Sequence, residues 1–89
     1  MTADWHPIMT AREVEPGHWY LIDTLGDPYG EIRFVRRGGE VGYRADRCDG
    51  TGVAERQVGY FRSLRAAAWN IHVDFIRSHG APTRKSYSS

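Results

Sequence analysis

The chain has 89 residues, 40% hydrophobic, 12% aromatic and 26% charged, with a net charge of +1 at neutral pH. That length holds one small domain with a thin stability margin, and that composition belongs to a folded chain rather than a disordered one. So small a net charge gives no global case for nucleic-acid binding, the single cysteine, Cys48, excludes an internal disulfide, and no apolar run approaches the roughly 20 residues of a membrane span. The N-terminus lacks the basic-then-apolar pattern of a signal peptide, so the expected location is the cytoplasm.

Residues 1–16 contain Pro7 and Pro16 and show no sustained period, which predicts an irregular N-terminal arm carrying the apolar residues Trp5, Ile8 and Met9. After the Pro16-Gly17 break, His18 to Thr24 is rich in aromatic and β-branched residues and reads as a strand. Gly26-Asp27-Pro28-Tyr29-Gly30 has turn chemistry, and a second strand is expected from Glu31 to Arg37.

Gly38-Gly39 then separates Glu31–Arg37 from Glu40–Asp46, and two glycines at the centre of a two-residue loop suit the primed turns of a hairpin. This turn sets Arg37 against Glu40, Phe34 against Tyr43, Arg33 against Arg44 and Ile32 against Ala45. Alternation places Ile32, Phe34, Val41, Tyr43 and Ala45 on a core face with Arg36, and Arg33, Val35, Arg37, Glu40 and Arg44 on the other. Arg47 to Arg56 reads as a polar loop around Asp49-Gly50-Thr51-Gly52, and Gln57 to Phe61 as a further short strand.

Ser63 stands as an N-cap before a helix expected over Leu64 to His79, which Gly80-Ala81-Pro82 terminates; residues 81–89 are polar and small, so a disordered tail is expected. At 100° per residue, Leu64, Ala67, Ala68, Ile71 and Phe75 form the stripe that meets the sheet. Trp69, Val73 and Ile76 form a second stripe on the opposite side. A helix apolar on two sides needs two partners: either the arm covers the second stripe through Trp5, Ile8 and Met9, or a second protein does.

The patterns of catalytic and metal sites are missing: His6, His18, His72 and His79 have no metal-ligand spacing, and neither a nucleophile elbow nor a phosphate loop occurs. Asp46, Asp49 and Glu55 do not match a calcium loop and read as a solvated turn. No enzyme, cofactor, metal or small-molecule substrate is therefore expected. Arg33 facing Arg44 is unfavourable unless compensated, either by a salt-bridge lattice with Glu31, Glu40 and Asp46 or by an anion held on Arg33, Arg37 and Arg44.

Gly59, Phe61, Ser63 and the pair Ala67-Ala68 have the spacing of a strand-to-helix junction that resembles the plant AP2-type DNA-binding domain and the related arm-binding domains of tyrosine recombinases. The resemblance implies a three-stranded antiparallel sheet backed by one helix, with Arg33, Arg37 and Arg44 as candidate DNA contacts.

The expected architecture is an α+β domain over residues 17–80, with three or four antiparallel strands packed on one C-terminal helix, between the arm 1–16 and the tail 81–89. The expected function is a non-enzymatic interaction module, homodimeric or bound to another protein through Trp69, Val73, Ile76 and Trp5; the alternative is DNA binding through the sheet arginines. No membrane association is expected.

Overall fold

Turn chemistry and alternation divide the chain into a β meander followed by a helix. The computed structural model describes residues 6–80, with side chains as far as residue 78. After a 3-10 turn over Pro7–Thr10, β1 (Ala11–Glu15), β2 (His18–Ile22), β3 (Pro28–Arg37), β4 (Glu40–Cys48) and β5 (Ala54–Phe61) form one antiparallel sheet in sequential order. The helix α1 (Leu64–Gly80) packs on one face of it.

The sheet has five strands rather than three or four. The added strand, β1, lies within the stretch 1–16 expected to be irregular. It is an edge strand with four of its five residues exposed, so it carries no apolar alternation to detect. Pro16-Gly17, expected as a break, is the two-residue turn between Glu15 and His18, with Gly17 at φ 80°. The polar loop after β4 also shortens, to residues 49–53, because β4 continues through Cys48 and β5 begins at Ala54.

The β3–β4 hairpin has the register that the glycine pair predicts, from Arg37 opposite Glu40 to Ile32 opposite Ala45. Gly38 and Gly39 have φ of 51° and 88°. Irregularity enters elsewhere: Leu21 pairs with Gly30 but Ile22 with Pro28, leaving Tyr29 as the extra residue of a β-bulge. A bulge redirects a side chain that strict alternation would send to the other face. Tyr29 thus joins the helix side, its ring 4.4 Å from that of Phe75, instead of belonging to a turn.

The core combines large side chains of the sheet with alanines of the helix. Leu21, Tyr29, Ile32, Ala45, Ala67, Ala68 and Ile71 are buried together, with Trp19, Tyr43, Val58, Phe61, Leu64 and Phe75 packed around them. Ala67 and Ala68 let the helix approach, and Ile71 seats over Gly30, where a Cβ would lie 2.5 Å from Ile71 Cγ2. Ser63 caps the helix by accepting from the Ala66 N–H at 3.0 Å.

Replacing Gly30 by Ala is expected to cost about 1–3 kcal/mol by overpacking, measured by urea unfolding. Adding Ile71→Ala should make the double mutant cost less than the sum of the two single changes, because the clash disappears with the branched side chain. Additive losses would show that Ile71 does not rest on Gly30.

Candidate functional site

Three surfaces of this fold carry chemistry, and a buried ion pair positions them. Arg47 lies on the helix side of β4 opposite Gly30, its side chain only 7% exposed. Its guanidinium donates to the Asp74 carboxylate and the Ser78 hydroxyl, each at 3.0 Å, and to the Tyr29 carbonyl at 3.3 Å, while lying 5.2 Å from the Phe75 ring centroid. Arg56 on β5 holds the other side of Asp74 at 2.6 and 3.0 Å. Burial alone would push the Asp74 carboxyl up, but hydrogen bonds from Arg56 and Arg47 and the charge of both guanidiniums hold it below its ordinary value.

The sheet face away from the helix is polar in two cross-strand rows. Tyr20, Glu31, Asp46 and Gln57 form one, and His18, Arg33, Arg44 and Tyr60 the next. Glu31 and Asp46 are buried although no helix among the described residues covers this face. The His18 ring presents Nε2 to Glu31 at 2.5 Å and Nδ1 to Glu15 at 3.4 Å. Arg33 reaches Glu31 at 3.0 Å and Arg44 reaches Asp46 at 3.2 Å, so each like-charged neighbour is compensated within its own strand.

Cys48, also buried, has its thiol pushed up to about 12 by burial first and then by the charges of Glu31, Asp46 and Asp49, which leaves it protonated and unreactive at neutral pH.

Toward the hairpin tip this lattice ends and a notch opens. It measures about 420 Å³, and its lining includes Val35, Arg37, Glu40, Gly42, Tyr60 and Arg62. The Arg37 guanidinium lies 4.8 Å from the Tyr60 ring centroid, and Tyr60 is 39% exposed. A second cleft, about 490 Å³, opens between the helix and the β1–β2 end under Met9 and Leu25, with Tyr29, His72 and Phe75 among its lining residues. The Tyr29 hydroxyl stands 3.4 Å from His72 Nδ1, and burial lowers the His72 pKa and raises that of Tyr29, so both groups are neutral at pH 7.

The outer helix face is the third surface. The 3-10 turn packs on the helix with Pro7 buried and the His6 ring 5.7 Å from that of Trp69. It nevertheless leaves Trp69 48% exposed and Ile76 51% exposed. Of the residues expected on this surface, Trp69, Val73 and Ile76 share the outer side of α1, whereas Trp5 lies outside the described residues, as do residues 81–89.

Of the three candidate DNA contacts, Arg33 and Arg44 are engaged by carboxylates, and Arg37 stands at the notch. Arg47, Gly42, Tyr60 and Arg62 were not anticipated. A glycine inside a strand signals close backbone approach, and that signal was available for Gly42; nothing local marks Arg47 as buried. Among the described residues no group of three or more His, Cys, Asp or Glu side chains is placed to hold a metal ion, and no helix is long and apolar enough to cross a membrane.

Comparison with models of protein families, with curated proteins and with solved structures found no match for this chain.

The lowered Asp74 carboxyl sets a pH dependence. Its contribution to stability is complete above its unfolded-state value of about 4 and is lost as pH falls through the folded value. Urea unfolding from pH 6 down to about pH 2 should show wild type losing stability in this range, with Asp74→Asn less stable at pH 6 and flatter on acidification. Parallel curves for the two proteins would remove Asp74 from this role.

Proposed function

We propose that the domain is an interaction module that self-associates through the outer face of α1. The observation supporting this is that Trp69 and Ile76 remain about half exposed after the 3-10 turn has packed on the helix. Large apolar side chains gathered on one side of a short helix favour a partner surface over water. Val73 lies between them, four residues after Trp69 and three before Ile76, the spacings that align side chains along a helix.

A second copy suits this face better than an unrelated surface, because the face is complementary to itself. Two helices crossing antiparallel about Val73 set Trp69, four residues before it, against Arg77 of the partner subunit, four residues after it. That contact stacks a guanidinium on an indole rather than on a like charge. Asp74, the acid beside this stripe, is already held by Arg47 and Arg56, so the stripe does not present a free carboxylate to repel its copy.

Analytical ultracentrifugation at about 100 μM should find a dimer, and Trp69→Asp should weaken association by at least about tenfold while leaving the circular dichroism spectrum unchanged. Ile76→Asp should act in the same direction. A wild-type chain that sediments as a monomer at that concentration contradicts the reading.

A further inference from the structure

The open end of the sheet offers a binding site separate from the helix face. Arg37, Tyr60 and Arg62 converge on the notch at the hairpin tip, and Gly42 leaves its floor without a side chain. Val35 supplies an apolar wall, while neither Arg37 nor Arg62 has an ion-pair partner among the described residues. Those two cations therefore differ from Arg33 and Arg44, whose charges are already met by Glu31 and Asp46. A concave site with a partly exposed aromatic ring and two guanidiniums that no carboxylate among the described residues meets, one of them beside that ring, selects a flat ring attached to an anion.

We infer that this notch takes one unstacked nucleotide of a single-stranded nucleic acid, with the base against Tyr60 and Val35 and the phosphate on Arg62 and Arg37. A base in a duplex has both faces covered by its neighbours and shows only its edges in the grooves, so it cannot lie on Tyr60. An unpaired base presents its face, and base–aromatic stacking tolerates any sequence. Glu40 lines the same notch and repels phosphate from its side, which orients the sugar-phosphate backbone toward Arg62. None of the residues lining the notch belongs to α1, so binding there does not compete with self-association through Trp69.

The test is fluorescence anisotropy at about 50 mM salt with a labelled oligothymidylate of about 12 nucleotides and with a duplex of the same length. The single strand should bind at least about tenfold more tightly than the duplex. Arg37→Gln and Arg62→Gln should each weaken it by about fivefold or more, whereas Arg12→Gln, which removes an equal charge from an exposed residue outside the notch, should change it by less than about twofold. Tyr60→Leu should weaken binding and Tyr60→Phe preserve it, which separates ring stacking from loss of the fold. Thymidine monophosphate should compete only at concentrations far above that of the strand.

Absence of single-strand binding, equal affinity for the duplex, or an equal loss in Arg12→Gln overturns the inference. Displacement by the mononucleotide at concentrations matching the strand overturns the assignment to a polymer and marks a free-nucleotide site.

Discussion

The ion pair of Arg47 with Asp74 determines how the helix sits, and the other features of the molecule follow from that placement. A charge taken out of water is expensive unless its partners are close and well aligned. Arg47 meets this condition only where Asp74, Ser78 and the Tyr29 carbonyl converge on it. The core supplies the apolar driving force, but the helix side chains fully buried in it, Ala67, Ala68 and Ile71, could slide on the sheet; the guanidinium makes most sliding costly. With Arg47 and Arg56 both on Asp74, the C-terminal half of α1 is tied to β4 and β5, and Ile71 falls over Gly30.

That docking divides the molecule into faces with different physical character. Under the helix the sheet needs small and apolar side chains. On the other side none of the described elements covers it, and the chain closes its own surface with charge. Glu31 and Asp46 stand directly across from each other and are both buried, an arrangement that is tolerable because His18, Arg33 and Arg44 surround them. The same contacts that make these carboxylates tolerable also neutralise the arginines. On this face the positive charge that no carboxylate among the described residues meets lies where the lattice ends, beyond the Arg33–Arg44 row, and Gly42 leaves the sheet surface there without a side chain.

The two proposed activities use opposite sides of this arrangement. The helix side presents Trp69 and Ile76, with apolar area in excess of what the 3-10 turn covers. The sheet side presents Arg37, Arg62 and the Tyr60 ring around a concave floor. Because the helix lies between them, a dimer formed through α1 would carry its two notches facing outward, each accessible to a strand.

The hairpin register, the Ser63 cap and the two stripes of the helix were legible in the sequence, because each depends on residues within a few positions of one another. Gly38-Gly39 fixes φ locally, a serine caps the turn that follows it, and a helical stripe repeats every three or four residues. The edge strand β1 was not legible, since its pairing with β2 buries almost none of its side chains. Nor was the bulge that swings Tyr29 to the helix side, because it is set by the neighbouring strand's register rather than by Tyr29 itself. The burial of Arg47 and the pairing of Arg33 and Arg44 with carboxylates likewise came only from the tertiary structure. Sequence assigned Arg33, Arg36, Arg37 and Arg44 to faces of the hairpin; which of them remained free for a ligand depended on distances across strands and to the helix, where a difference of a few ångströms separates a neutralised charge from an available one.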